Sequence, residues 1–595
     1  MRHDTYNSGG TARAPLTSTG PRNSTTAPSV VGTKLMRLIQ LTVLLAFAGM
    51  AFAGSKLSPD LQANSNSMVD VIVQFVNPPT KQQLKQLGAY GQMKHIFNGL
   101  NAANLTLPMS VIQSLQNEPT ILYISPNRNM AGSLDLIDPT VNATLAWQQG
   151  YDGTGVGVAI IDSGVMPKDD LMTQGGLGSR IVYSESFVSG MDPSDGYGHG
   201  THVAGIVAAN GADSTGSNFT RTFKGVAPNA NIINLRVLDQ TGAGQESNVI
   251  AAIQRAIQLQ STYNIRVINL SLGHPVYESY TLDPLCQAVE QAWQAGIVVV
   301  TAAGNSGRDN SLGTHGYGSI ASPANDPYVI TVGATKMNGT PYRFDDSMAS
   351  YSSKGPTLID HIVKPDLVAP GNGIISLLAS PTCTLVTSYP GTQISSAFYE
   401  TSGTYTTPKS ASYFQLSGTS MATPVVSGAA ALLIQQNPSL TPDQVKARLM
   451  KTAGKMLPLF STSFDLFSQQ SFNIQSDIFV VGAGYLDIAA ALANTDLVTL
   501  PAMSPVAVYN SATGTVTIVR NLSVVWGSSV VWGDSVVWGS TVFSGSVNNM
   551  SVVWGSSVVW GDSTNAAFSV VWGSSLNSAT TMTAMSAGDG DEDGQ

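Results

Sequence analysis

The rhythm of apolar and polar positions changes several times along this chain. Between residues 68 and 126 the runs are short and mixed. Val69–Val76 (VDVIVQFV) alternates apolar with polar positions, the period of a half-buried strand. Thr80 stands where it can cap a helix that carries Leu84 and Leu87 on one face. His95–Leu107 holds two strand-like stretches around Asn98-Gly99 and Asn101. Val111, Ile112 and Leu115 mark a second helix, and Ile121–Ile124 (ILYI) a last strand. The order β-α-β-β-α-β predicts a small ferredoxin-like α+β unit.

Further along, the apolar runs lose their alternation. Gly157-Val-Ala-Ile-Ile-Asp162 reads as a buried strand that ends on a carboxylate, with Gly164 supplying a turn. After Gly418 a turn enters a helix of small and apolar residues, and Pro424 is tolerated there because it lies in the first turn. A six-residue repeat then takes over from Ser523: SVVWGS, SVVWGD, SVVWGS, with further copies at 551–562 and 569–574. Six of the eight tryptophans lie in it. An even period keeps strand phase, so Val524, Trp526, Val530 and Trp532 could share a face. Two readings stay open: a short β-solenoid or stack of hairpins, or an adhesive low-complexity segment without a fixed fold.

At the other end, the apolar run 38–53 follows Lys34 and Arg37 and closes on Ala51-Phe52-Ala53. Positive flank, short core and a small-x-small ending describe an export signal, here behind a long polar leader. The alternative is a retained anchor, but the apolar core falls short of the roughly 20 residues that span a bilayer.

Composition narrows the classes. In 595 residues only 11% are charged and 43% are hydrophobic, so charge-driven disorder does not describe the bulk. A net charge of -9 excludes a basic footprint for nucleic acid. Two cysteines make neither a disulfide scaffold nor a four-thiolate zinc site.

Three segments carry candidate chemistry. Asp162 ends its strand where catalytic groups often collect in parallel sheets. His199 lies in Gly198-His-Gly200-Thr-His202, where glycines let backbone approach and leave the imidazole accessible. The pair His199 and His202 lacks the further ligands of a metal site, and His202 reads as a hydrogen-bonded structural residue. Ser420 stands at a helix amino end, where free N–H groups favour developing negative charge.

These segments, in the order Asp…His…Ser, resemble the subtilisin-like serine proteases (subtilases). Val298–Gly307 (VVVTAAGNSG) is similar to the family's strand and loop bearing its oxyanion-hole asparagine, which falls on Asn305. Asn269-Leu-Ser271-Leu272-Gly273 is similar to its cleft-lining strand. The resemblance covers roughly 140–495 and implies an α/β fold, a parallel β-sheet flanked by helices. It implies Asp162, His199, Ser420 and Asn305 as catalytic residues, and Ser271, Leu272, Gly273 and Gly304 as substrate-binding. Gln240–Gln245 resembles the opposite edge of the substrate channel. Val425 stands where the family usually has His, a change of packing more than of chemistry.

The same resemblance casts residues 68–126 as a propeptide, an intramolecular chaperone and inhibitor, with self-cleavage between about Pro126 and Leu134. The implied division is 1–53 signal, 54–130 propeptide, 131–500 catalytic region, 501–585 repeat region and 586–595 acidic tail. No cofactor and no metal is required for catalysis. Structural calcium is conceivable: Asp170 aligns with one family ligand, whereas Asn210–Lys224 lacks the Asn-rich pattern. The loop Leu377–Gln415 is long, rims the cleft and carries Cys383; whether Cys383 pairs with Cys286 is left open. The expected activity is a secreted serine endopeptidase made as a self-processing zymogen. Its partners are protein or peptide substrates and its own propeptide. No nucleic acid and no membrane span in the mature form are expected. The alternative is a surface-attached protein that contacts a cell surface through its repeats, its protease region processing mainly itself or one partner.

Overall fold

The computed structural model describes residues 56–57, 61, 67–97, 101–126, 134–519 (apart from 174, 312, 405, 466–469 and 511–514) and 582–584. The export signal, the hexapeptide repeats, the acidic tail and the proposed self-cleavage stretch lie outside the described residues. The chain divides into two units, residues 1–129 and 130–595.

In the first unit β1 (Met68–Phe75) buries Val71, Val73 and Phe75, the alternate positions its sequence pattern predicts. Helix α1 (Lys81–Gly88) starts on a capping box: Thr80 Oγ1 accepts from Gln83 N–H, and Gln83 Oε1 accepts from Thr80 N–H at 2.8 Å. Strands β2 (Gln92–Phe97) and β3 (Ala102–Pro108), helix α2 (Met109–Leu115) and strand β4 (Ile121–Pro126) follow. The sheet has the order β2-β3-β1-β4 and is antiparallel throughout. Leu105, Leu107, Ile112 and Ile124 join the β1 residues in its core.

The second unit is built on an eight-stranded sheet. Its strands are β5 (Gly157–Asp162), β6 (Ile181–Ser186), β7 (Asn231–Arg236), β9 (Ile265–Leu270), β11 (Val298–Ala302), β12 (Ile330–Lys336), β13 (Ser347–Met348) and β14 (Leu367–Pro370). The order is β13-β12-β11-β9-β5-β7-β6, with β14 also on β12; every pairing is parallel except β12 with β13. Strands covered on both faces explain the unbroken apolar runs: all six residues of β5 are buried. Helix α3 (His199–Ala208) packs against α6 (Thr419–Gln436), which crosses β9, β11, β12 and β14. Helices α4 (Glu246–Tyr263) and α5 (Pro284–Gln294) pack on one another, α4 on β5, β7 and β9 and α5 on β11.

Because β11, β9 and β5 are parallel neighbours, their carboxyl ends open on the same side. Asn305, Ser271 and Asp162 therefore stand in a row beyond or at three adjacent strand ends. The segment 377–415 is more ordered than the loop expected there. Strand β15 (Ile374–Leu377) pairs with β17 (Lys409–Leu416), which also pairs with β16 (Gln393–Ser395). Two short strands, β8 (Ala243–Gly244) and β10 (Leu272–Gly273), are bridged by a third from the far end of the chain, β22 (Met582–Ala584), all antiparallel. Two hairpins, β18 (Phe460–Asp465) with β19 (Gln470–Gln475) and β20 (Val506–Asn510) with β21 (Thr515–Val519), lie between.

Candidate active site

Asp162 is the last residue of β5 and is fully buried. Its Oδ1 lies 2.8 Å from His199 Nδ1 and also accepts from Ser163 N–H at 2.7 Å. His199, equally buried, is the first residue of α3. The approach depends on glycine. A Cβ on Gly200 would lie 2.2 Å from the Gly164 carbonyl oxygen and 3.1 Å from Asp162 Cβ, so only glycine lets the first turn of α3 press on the end of β5. Gly198 precedes it at φ 105, a left-handed conformation. His199 Nε2 is buried and has no hydrogen-bond partner among the described residues.

The amino end of α3 is held by a residue the sequence reading passed over. Buried Asp195 accepts from Gly198 N–H at 2.7 Å, Ser163 Oγ at 2.9 Å, Thr201 N–H at 2.8 Å and Thr201 Oγ1 at 2.7 Å. Burial pushes its carboxyl above the ordinary range, and these hydrogen bonds pull it back. An acidic residue a few positions before a helix is the signal that could have found it. His202 is the structural residue expected: buried, its Nε2 on the Ile374 carbonyl at 3.0 Å and its ring edge-on to Phe414.

Ser420 is the second residue of α6. Its Oγ donates to the Ser271 carbonyl at 3.0 Å, and Ser271 Oγ donates to the Ser420 carbonyl at 2.8 Å. Behind this clamp, Asn269 Nδ2 donates to Ser271 Oγ at 3.0 Å and Ser427 Oγ donates to Asn269 Oδ1 at 2.8 Å. All four residues are buried, so the network joins β9, the residue after it and α6. Asn269 was visible only as part of a motif and Ser427 not at all, since they meet across 158 positions.

Asn305 is half-buried. Its Oδ1 accepts from Thr419 N–H at 2.9 Å and Thr419 Oγ1 at 3.0 Å, which fixes the amide plane next to Ser420. Thr419 Oγ1 in turn accepts from Gly304 N–H at 3.2 Å. Gly304, at φ 109, is fully enclosed: a Cβ there would lie 2.8 Å from Ser353 Oγ. Leu272 and Gly273 form β10, and Ala243–Gly244, within the predicted opposite edge, form β8. Val425 is buried in α6.

The two cysteines do not pair. Cys286 is enclosed near Ser322 and Asn325, and Cys383 lies beside Gly198; both thiols are free and buried, which pushes their pKa values up. Asp170 is held by protein donors. Its Oδ1 accepts from Asp213 N–H at 2.8 Å and its Oδ2 from Tyr413 OH at 2.6 Å, so protein donors occupy both oxygens. Glu246, His274 and Asp283 bring ligand atoms within 4.8 Å of one another. There too Asp283 is engaged, Oδ1 capping α5 and Oδ2 accepting from Ser322.

A buried carboxylate on an imidazole, a serine at the amino end of a helix and an amide beside it invite comparison with known proteins. Residues 153–484 match the model of the Subtilase family. The chain belongs to the subtilase family. It is similar to Serine protease AprX of Bacillus subtilis (strain 168), 38% identical over 372 residues, 61% of this chain and 76% of the relative. Subtilisin E of the same organism is 34% identical over 435 residues, 70% of this chain and 94% of the relative. A crystal structure of a cold adapted subtilisin-like serine proteinase aligns at 32% identity with a TM-score of 0.36, over 52% of this chain and 85% of that one. As a subtilase the chain is a serine endopeptidase, a hydrolase of peptide bonds. Among its described residues no helix is long and apolar enough to cross a membrane.

Proposed function

We propose that Asp162, His199 and Ser420 form the catalytic triad of a secreted endopeptidase made as a self-processing zymogen, with Asn305 as oxyanion donor. The observation that carries this reading is the fully buried Asp162–His199 contact at 2.8 Å, with His199 on a helix packed against the one whose first turn holds Ser420. Asp162 holds Nδ1–H and thereby leaves Nε2 as the basic nitrogen. With substrate bound, the Ser420 hydroxyl turns from the Ser271 carbonyl to His199 Nε2, gives up its proton and attacks the amide carbon. The imidazolium that forms is stabilised by Asp162 and returns the proton to the leaving amine. Charge on the tetrahedral oxygen is met by the Asn305 amide and the Ser420 backbone N–H, at the positive end of the α6 dipole. No cofactor enters these steps.

Residues 54–130 act in this reading as the propeptide, cut from the catalytic region between about Pro126 and Leu134. Their preformed sheet suits a chaperone for a parallel-stranded fold whose contacts are remote in sequence. Ser271–Gly273 and Gln240–Gln245 bind an extended protein or peptide substrate through main-chain hydrogen bonds. Labelling of Ser420 by a serine-directed covalent inhibitor, followed by N-terminal sequencing of the labelled band, tests both parts. Label elsewhere, or an active band that still begins at residue 54, contradicts them.

A further inference from the structure

Strand β22 lies between the two edges assigned above to substrate. Thr583 stands opposite Gly273 on one side and Ala243 on the other; Ala584 stands opposite Leu272, and Met582 opposite Gly244. Each edge is a two-residue strand, and β22 completes a three-stranded antiparallel sheet with both. An extended peptide that pairs its main chain with an open edge is the general mode of strand addition.

The direction of β22 is informative. From Thr583 to Ala584 the partner moves from Gly273 to Leu272, and so toward Ser271, whose carbonyl accepts from Ser420 Oγ at 3.0 Å. The chain thus enters the channel with its carboxyl side heading for the hydroxyl. That is the polarity hydrolysis requires, because the residues before a scissile carbonyl remain on the acyl side. A segment laid in the reverse direction would have blocked the channel without offering a bond.

We infer that the C-terminal segment of this chain is a substrate of its own site, cut at one of the two bonds after Ala584, Ala584–Met585 or Met585–Ser586. The inference rests on the triad reading above. In the step, Ser420 Oγ bonds to the carbonyl carbon and its proton passes to His199. The C–N bond breaks and the departing amine takes that proton. Water then supplies hydroxide to the acyl carbon and a proton back to Ser420. The products are a chain ending in a new carboxylate and a free acidic peptide that carries Asp589, Asp591, Glu592 and Asp593. Tethering makes the encounter intramolecular, so this segment competes with outside peptides.

The test follows the C-terminus of the full-length chain by mass spectrometry, with casein hydrolysis measured alongside. Wild type is expected to release a peptide that begins at Met585 or Ser586 and ends at Gln595; Ser420→Ala releases none. Thr583→Pro removes the N–H at the residue that faces both edges, and slows release about tenfold or more while casein hydrolysis is retained. Casein hydrolysis with the C-terminus intact through Gln595 would overturn the inference alone. So would Thr583→Pro cut at the same bond and rate as wild type. Failure of wild type both to hydrolyse casein and to release the peptide would overturn the triad reading, and this inference with it.

Discussion

The two halves of the site are held by opposite means. On the Asp162–His199 side a carboxylate faces an imidazole in full burial, and a second buried carboxylate, Asp195, ties down the helix behind them. On the Ser420 side there is no charge: hydroxyls, two carbonyls and two side-chain amides link Ser427, Asn269, Ser271, Ser420, Thr419 and Asn305. Buried charge is unforgiving, since removing one partner leaves the other unsolvated. A neutral network spreads its alignment over several bonds, each of modest net worth. The charged half should therefore fail at single positions, and the neutral half, beyond the nucleophile itself, by degrees.

Substitutions break that contrast in order. Ser420→Ala removes the proposed nucleophile, and kcat should fall about a millionfold, the scale measured for this change in a subtilisin and borrowed from it. An active Ser420→Ala protein would place the chemistry elsewhere. Asp162→Asn keeps the shape of the charged half and removes its charge; kcat should fall about ten-thousandfold with the fold intact, as circular dichroism would check. Asn305→Ala takes one donor from the neutral half and should lower kcat about a hundredfold to a thousandfold with KM little changed, a range again borrowed from subtilisin. An equal loss in kcat and in substrate affinity would remove Asn305 from the oxyanion role. Asn269→Ala lies one bond further back and leaves Ser271 and Ser427 each short of a partner. A loss of about tenfold in kcat and about 1–3 kcal/mol in stability is expected, read by chemical denaturation. A drop as deep as that of Asp162→Asn would mean the neutral half is not distributed after all.

How much of this was legible beforehand divides by how local the pattern is. The strand ending on Asp162, the glycine-flanked His199 and the helix entry at Ser420 are local patterns, because close backbone approach and helix entry demand particular residue types at fixed neighbours. The helix capped by Thr80 and the alternating strand β1 of the first unit were legible for the same reason. The supports were not. Asn269 and Ser427 meet only because α6 crosses β9, and Thr419 finds Asn305 across 114 positions. The Cys286–Cys383 question had the same character, and only the fold separates them. The pairing of Met582–Ala584 with β8 and β10 had no sequence signal, because main-chain pairing asks little of side-chain type.

The last test leaves activity near neutral pH unchanged and probes the charged half through a residue with no part in chemistry. His202 lies one turn along α3 from His199, and burial, with His199 nearby, lowers its pKa from 6.5 to about 3. The folded chain therefore keeps it neutral where the unfolded chain takes a proton. The unfolded state binds more protons between those two values, so this contribution is complete above about pH 6.5 and is lost as pH falls toward 3. Asp170 and Asp477, raised by burial to about 6, act with the opposite sign between about pH 4 and 6, because there the folded state holds the extra proton. Their effect is common to wild type and to His202→Gln, which can still donate toward the Ile374 carbonyl but cannot titrate. Subtracting the two stability profiles isolates the imidazole. Wild type should lose stability relative to the variant by up to about 1.4 kcal/mol per pH unit within that window, and by nothing above it. A flat difference would mean that His202 accepts its proton inside the fold, and that α3 tolerates a charge one turn from the one it is built to control.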